Sequence, residues 1–522
     1  MKNISLNTLL LTAIVLFAFL GAFAMVMATN NHNEDQYIAA SVLVAQNKSI
    51  YKDFGFDETP YLPILYSNLF KLLRIGSYYL LTGKMISFLS LIIAAMALFF
   101  ITRRVSKSIA SSLGIVALFL MNMNIVGPAG QVSNYIIPLT LSFVSFYLFE
   151  ISFDRNETKP FGFAMAGLFL AIAVGIRLMY ATVIIPFVAV ILLYSSMHKH
   201  SSMTTKISFI HVLLPFTIGV ALGLLPMLFF LSDLQSFIFN NLGFHIINGY
   251  WSQITGFSGN ISLSSKLIYA RDIFFQANNL ILIIGILVAV GLSIRSFRIN
   301  RQTIEEIPKG AFLAFLLFVI AVPTTLAPTP SWPEYYAMPI SFLFLLLVYS
   351  CASKSPEILM LQKRLLVILL LVSLVYGGPS FVKSIYSLRD RNNWAGLMVH
   401  DVSMNIRKAL PNYRKDNNVK IATLSPRYVA DANLPIYLEL ADGPFIYRAG
   451  DLLTPEQRKH FIVTSPKTIA DLLNGDPPTA ILVGFEGDLD KPLVQYAVSH
   501  NYRKVDGFFG GGELYVLNIY KP

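Results

Sequence analysis

Long apolar runs alternate with short polar breaks over the first three quarters of this chain. Several of these runs reach about 18 nearly uncharged residues, and about 20 helical residues cross a hydrocarbon core. Only helices and closed barrels satisfy their backbone polar groups in lipid, and runs of this length mean helices. The pattern predicts about eleven spans, near 7–28, 80–102, 109–127, 134–152, 161–177, 180–196, 208–231, 277–296, 311–328, 337–352 and 364–379. The first run, Leu9–Met27, follows Lys2 as a signal peptide would, but it is long. Ala28-Thr29-Asn30 is a poor cleavage context, so it reads as a retained span.

After about residue 380 the pattern changes. Charges, Asn, Asp and Pro become frequent, and the short apolar runs Val419–Leu424, Ala480–Phe485 and Glu513–Ile519 have the length and composition of strands. The expected organisation is a polytopic α-helical membrane domain over 1–379, with long connecting loops at 29–79 and 232–276, and a soluble α/β domain over 380–522. No internal repeat of fixed period is evident, which disfavours a transporter built from inverted repeats.

Composition agrees with this class. The 522 residues are 55% hydrophobic and 13% charged, against about 25% charged in soluble chains, and the mean hydropathy is +0.60. The net charge of +11 does not point to nucleic acid, because the positive residues sit in short breaks between apolar runs. Alternate breaks carry them: Arg103, Arg104 and Lys107; Arg155 and Lys159; Lys199 and Lys206; Arg295, Arg298 and Arg301; Lys354, Lys363 and Arg364. By the positive-inside rule these breaks are cytoplasmic. The expectation is a multi-pass protein of the plasma (inner) membrane, with the N-terminus inside and the C-terminal domain outside. A single cysteine, Cys351, excludes an intrachain disulfide framework.

The first long loop holds the most informative chemistry. Glu34 and Asp35 follow the first span, and Asp53, Asp57 and Glu58 come after them among Tyr, Phe and Pro. The segment Ile64–Leu73 is amphipathic and suits an interfacial position. A solvated spacer would account for the carboxylates alone. Carboxylates beside aromatic rings suit a sugar site better, because rings supply apolar platforms and carboxylates accept hydroxyl protons.

These segments resemble motifs of the C-type (GT-C) glycosyltransferases, in the group of protein O-mannosyltransferases and bacterial lipid A aminoarabinose transferases. Asn33-Glu34-Asp35-Gln36-Tyr37 is similar to the acidic pair that follows the first span there. Phe56-Asp57-Glu58-Thr59-Pro60-Tyr61-Leu62-Pro63 is similar to the Phe-Glu-Lys-Pro-type motif that opens a juxtamembrane helix. The acidic order is inverted, and Thr59 stands where the family has a lysine that helps hold the donor phosphate; Lys52 is a nearby substitute. The resemblance implies a sugar donor linked to a polyprenyl phosphate, a hydroxyl acceptor on a glycan, glycolipid or protein, and inverting transfer helped by a carboxylate base. It makes Asp35 the first candidate base and Glu34 the second, with Glu58 orienting acceptor or base. The absence of a Gly-rich strand-to-helix phosphate motif fits a lipid donor.

Candidate cations for a leaving lipid phosphate are Arg177, Lys84, Arg271 and Lys52. Arg177, after Gly175-Ile176, either snorkels to the interface or faces a cavity, and a basic residue after a glycine at this span end resembles the family pattern. Arg271 has Asp272 beside it. Asp53, Asp57, Tyr61, His245 and Tyr335, the last in Trp332-Pro333-Glu334-Tyr335-Tyr336, are candidates for an acceptor or sugar site. His245, a lone histidine, reads more readily as loop packing, and the Trp332 segment as an interfacial aromatic belt. In the C-terminal region, Leu440–Leu453 is a Gly/Pro/aromatic stretch suited either to a turn or to acceptor contact. No paired His/Cys spacing suggests a metal; a hard divalent ion on the carboxylates is possible but not favoured, and no cofactor is expected. The competing readings are a transporter or lipid flippase, which would need charged or broken helices in matching halves, and a scaffold presenting the C-terminal domain.

Overall fold

The computed structural model describes residues 6–153, 159–197, 209–299, 308–352, 355–410, 419–508 and 510–518. Arg155, Lys199, Lys206, Arg301 and Lys354, which carry part of the charge alternation, lie outside the described residues.

Helix α1 (Leu6–Ala28) is followed by α2 (Glu34–Ala45) and α3 (Tyr61–Leu72), both within the first long loop. Next come α4 (Tyr79–Ser106), α5 (Ile109–Leu120), α6 (Met123–Ala129), α7 (Ile136–Ser152), α8 (Pro160–Ile176), α9 (Ala181–Met197) and α10 (Phe209–Leu224). Helix α5 starts where Ser108 accepts the Ser111 amide, and α6 where Asn122 accepts the Asn124 amide. These side-chain caps satisfy amides that the first turn leaves free. The α5–α6 junction bends by 64°.

Among the described residues, six helices are long and apolar enough to cross a bilayer, or seven if the bent α5–α6 pair is one span. The expectation of about eleven is therefore too high. The expected spans at 134–152, 161–177 and 180–196 form the helices Ile136–Ser152, Pro160–Ile176 and Leu178–Leu193, and the one at 337–352 forms Ala337–Ser350. At 1.5 Å per residue, 17 residues reach only about 25 Å, short of a core about 30 Å thick. The apolar windows had included residues that the fold uses as helix ends, such as the extended Arg177.

The expected loop at 232–276 is largely helical. Helical turns run on from α10 through a π-type segment at Phe239–Gly243 into Phe244–Thr255, and a further helix covers Leu263–Phe274. The last long apolar helix, Pro356–Ser387, passes the boundary expected near residue 380.

Small residues set the closest helix packing. A Cβ on Gly167 or Gly219 would run into backbone of the facing helix, so α8 and α10 approach backbone to backbone. A Cβ on Gly175 would collide with the Tyr61 ring, whose hydroxyl donates to the Gly223 carbonyl at 2.9 Å. This contact seats α3 against the ends of α8 and α10.

The C-terminal region outside the spans is α/β. It holds a four-stranded sheet of order β1-β2-β4-β3, with β1 Ile421–Ala422, β2 Ala480–Val483, β3 Arg503–Lys504 and β4 Glu513–Val516. β1 pairs parallel to β2, while β4 runs antiparallel to both neighbours, with Ala480 opposite Val516. The three apolar runs expected as strands carry β1, β2 and β4. Short helices between them bring Pro426–Asp431 and Pro444–Ala449 onto the first loop. Asp431 accepts the Tyr79 amide at 2.9 Å and meets His400 Nδ1 at 2.7 Å, and His400 stacks on Tyr78 at 3.6 Å. Phe461 lies parallel to Phe239 at 3.8 Å. Both contacts join the C-terminal region to the membrane helices.

Candidate active site

The carboxylates of the first loop fall into two layers, one buried and one bordering a cavity. The deeper one centres on Glu34 at the start of α2. Its Oε1 accepts Lys84 Nζ at 2.6 Å and the Val132 amide at 3.0 Å. Its Oε2 takes the Asn31 amide at 3.2 Å and Arg427 Nη1 at 3.3 Å. Lys84 also donates to the Gly130 carbonyl at 2.8 Å, and both side chains of the pair are fully buried. The charge of Lys84 is thus matched within the protein.

Asp35 sits beside this pair. Its Oδ1 faces Arg427 Nε at 3.4 Å and the Arg427 amide at 3.3 Å, while Oδ2 has no hydrogen-bond partner. Burial pushes the carboxyl up to about 7; Arg427 opposes the rise and Glu486 adds to it. Glu486 in turn approaches His32 Nδ1 at 3.3 Å.

The second layer faces open space. A cavity of 210 Å³ is walled by residues of three segments: Asn31, His32, Asn33, Gln36, Tyr37, Asp57 and Glu58 from the first loop; Tyr135, Phe244, His245, Asn248, Phe257, Trp332, Glu334 and Tyr335 from the helices and their connections; and Phe445 and Arg448 from the C-terminal region. Glu58 is half-buried on this wall, and its backbone carbonyl accepts the Tyr51 hydroxyl at 2.5 Å. That bond fixes the turn; among the described residues the Glu58 side chain makes no hydrogen bond or ion pair and acts on Arg177 and His245 through space.

Asp57 meets Asp442 from the C-terminal region. Asp442 accepts the Asp57 amide at 3.2 Å and the Ile446 amide at 3.1 Å. The Gln36 side-chain nitrogen, in the orientation that satisfies both neighbours, donates to Asp442 at 3.1 Å and to Asp57. Burial and then the charge of Asp442 push Asp57 well above the usual carboxylate range, and burial does the same to Asp442. Two carboxyls this close do not both ionise readily.

Asp57, Glu58, His245 and Tyr335, all singled out from the sequence, meet on one wall. The others lie elsewhere. Glu34 and Asp35 are buried behind it, with no exposed surface. Arg177 stands one layer back: its guanidinium lies 4.2 Å over Tyr135 and 4.9 Å from the Tyr335 ring, and donates to Asn134 Oδ1 at 2.6 Å. Lys52 borders a separate cavity of 370 Å³, with Lys48, Phe229 and Phe230. Asp53 accepts the Ser49 amide at 2.6 Å and shapes a turn. Tyr61 holds α3 in place. Arg271 is exposed and paired with Asp272 at 2.7 Å. Among the described residues no group of three or more His, Cys, Asp or Glu could hold a metal ion.

The sequence reading marked the stretch Leu440–Leu453, which holds Asp442 and Arg448, only as a turn or an acceptor contact, gave neither residue a role, and did not name Arg427. They lie hundreds of residues from the first loop, where no local period can connect them. The available signal was an arginine or aspartate inside Gly/Pro/aromatic stretches such as Gly443-Pro444-Phe445-Ile446-Tyr447-Arg448.

No family profile and no curated protein matches the sequence. Solved structures do match. The chain shares its fold with ArnT from Cupriavidus metallidurans. The crystal structure of that protein bound to undecaprenyl phosphate superposes with a TM-score of 0.60 over 98% of this chain and 99% of that one, at 12% identity. Its apo crystal structure gives 0.61, covering 98% of each chain, also at 12% identity. An oligosaccharyltransferase from Archaeoglobus fulgidus in the apo form overlaps less, with a TM-score of 0.48 at 11% identity, over 94% of this chain and 71% of that one. The protein is therefore polytopic and shares the fold of that ArnT along nearly its whole length, membrane helices and C-terminal region together.

Proposed function

We propose that this protein is a glycosyltransferase that moves a sugar from a polyprenyl-phosphate-linked donor to a hydroxyl acceptor, at the non-cytoplasmic face of the plasma membrane. The observation that carries this reading is the 210 Å³ cavity, where the Asp57-Glu58 carboxylates, aromatic rings and an arginine meet. Its support comes from a fold shared, along nearly its whole length, with a protein crystallised with undecaprenyl phosphate. In this reading residues 1–379 form the transferase domain with its outer loops, the N-terminus is cytoplasmic, and 380–522 close the site from outside.

Glu58 is the base. Among the described residues it is the carboxylate of the first-loop motif that borders the cavity without a hydrogen bond or ion pair of its own, and it faces Arg177 and His245 through space. The acceptor O–H gives its proton to Glu58 as the oxygen bonds to the anomeric carbon. The bond from that carbon to the phosphate oxygen breaks on the opposite face, and its electron pair leaves with the polyprenyl phosphate, so the configuration inverts. General-base help of this kind is typically worth about 10²–10⁴-fold. Asp35, bordered by Arg427 and off the cavity wall, shapes the floor beneath the reacting groups in this scheme. Arg177 adds positive potential behind Tyr135 and Tyr335, which favours the growing charge on the leaving phosphate.

Donor turnover in detergent tests the reading against a flippase, since micelles offer no compartments to transport between. Purified protein given polyprenyl-phosphate sugars and hydroxyl acceptors should release free polyprenyl phosphate. Donors that remain intact across a panel of sugars and acceptors would count against a transferase.

A further inference from the structure

The wall of the 210 Å³ cavity holds one lysine or arginine among its described residues, and it comes from the C-terminal region. Arg448 lies in the short helix Pro444–Ala449 and is only 6% exposed. Its guanidinium carbon sits 5.3 Å from the Trp251 ring, 5.3 Å from Phe257 and 5.2 Å from Phe445. Nε donates to Asn248 Oδ1 at 2.9 Å, which fixes the plane of the group. No other hydrogen bond or ion pair is recorded for it among the described residues, so the terminal nitrogens are left to the cavity.

A buried, unmatched charge is costly. The nearest carboxyls, Asp57 and Asp442, act on it through space, but burial pushes both towards the neutral form, so they offset this charge only in part. Asp442 is occupied by the Asp57 and Ile446 amides, and Asp57 by the Gln36 side chain. An oriented guanidinium fork in a partly dry aromatic box is suited to a planar, bidentate grip on phosphate oxygens. The other candidate cations lack this access: Lys84 is matched by Glu34, Arg271 by Asp272, Arg177 stands behind two tyrosines, and Lys52 borders a different cavity.

We propose that Arg448 binds the phosphate of the lipid-linked donor, so that the C-terminal region completes the donor site. The inference rests on the lipid-donor reading above and adds the residue that recognises the headgroup. The phosphate is held by the terminal nitrogens, while Asn248 and the three rings keep the guanidinium in plane. Detaching or misplacing the C-terminal region would then weaken recognition of the donor phosphate.

The test compares binding of undecaprenyl phosphate and of undecaprenol, its uncharged alcohol, to full-length protein in detergent. Wild type, Arg448→Ala and Arg448→Lys are measured, with melting curves for each. Wild type should prefer the phosphate. Arg448→Ala should bind the phosphate about 10-fold or more weakly, the scale of a lost charge-assisted contact, and keep its affinity for the alcohol. Arg448→Lys, whose charge lacks the fork, should fall between. Unchanged phosphate affinity in Arg448→Ala, or equal losses for phosphate and alcohol, overturns the role of Arg448 and leaves the donor reading standing. A wild-type protein with no preference for phosphate over alcohol overturns the donor reading itself.

Discussion

Lys84→Met separates a structural cation from a ligand-binding one. Lys84 Nζ lies 2.6 Å from Glu34 Oε1, and neither side chain has exposed surface. Removing one partner of a buried pair typically costs about 3–5 kcal/mol, because the other charge stays buried and uncompensated. In Lys84→Met, Glu34 still has Arg427 at 3.3 Å and two backbone amides. The cost should therefore fall at the low end, about 3 kcal/mol. In Glu34→Gln, Lys84 keeps its contact with the Gly130 carbonyl and a neutral amide in place of the carboxylate. That cost should reach the upper end, about 5 kcal/mol. The double variant Glu34→Gln/Lys84→Met removes both charges and should recover a large part of either loss. Thermal melting in detergent ranks the four proteins, and unfolding in mixed micelles gives the free energies. A Lys84→Met variant that melts like wild type but no longer binds undecaprenyl phosphate would refute this reasoning, and would make Lys84 a donor ligand after all.

Asp35 gives a pH signature. Its carboxyl titrates near 7 when folded and near 3.8 when unfolded. The folded protein therefore holds the extra proton between those values, and this group's contribution to stability falls as pH rises from about 4 to 7. Asp35→Asn should flatten that part of the melting-temperature profile, and an unchanged slope would remove Asp35 as its source. Membrane orientation is accessible because Cys351, the one native cysteine, is buried. Cysteines placed at the exposed positions Lys48 and Lys459 should react with an impermeant thiol reagent added to intact cells, and one at Lys107 should not. Labelling at Lys107 would invert the orientation and move the cavity to the cytoplasmic face.

The sequence was most readable where the bilayer or a sheet imposes a local pattern. Long apolar helices such as Tyr79–Ser106 and Pro356–Ser387 stood out, as did the amphipathic helix Tyr61–Leu72 and the apolar strand Ala480–Val483. Counting spans failed where apolar runs form helices of 14 to 17 residues, as at Ala337–Ser350 and Pro160–Ile176. Hydropathy measures an apolar run and not the length of helix that the fold makes from it. In the site, the Asp57-Glu58 motif was visible because its residues are adjacent. The partition of roles was not. Nothing local distinguishes Glu34, matched by Lys84 and Arg427, from Glu58, which borders a cavity. That difference is created by residues 50 to almost 400 positions away. Arg448 and Asp442 reach the first loop only once the sheet and short helices of the C-terminal region are folded against it.

The central claim is carboxylate-assisted sugar transfer in this cavity, and Glu58→Gln tests it most directly. The measurement is transfer of labelled sugar from a polyprenyl-phosphate donor to a hydroxyl acceptor by purified protein, with melting and undecaprenyl phosphate affinity followed in parallel. The amide keeps the size of Glu58 and removes its charge and its ability to take a proton. The account predicts measurable transfer by wild type. It predicts a loss of about 100-fold or more in Glu58→Gln, with donor affinity and melting nearly unchanged. Wild-type turnover in Glu58→Gln together with an inactive, folded Asp35→Asn would contradict the assignment and place the base on Asp35.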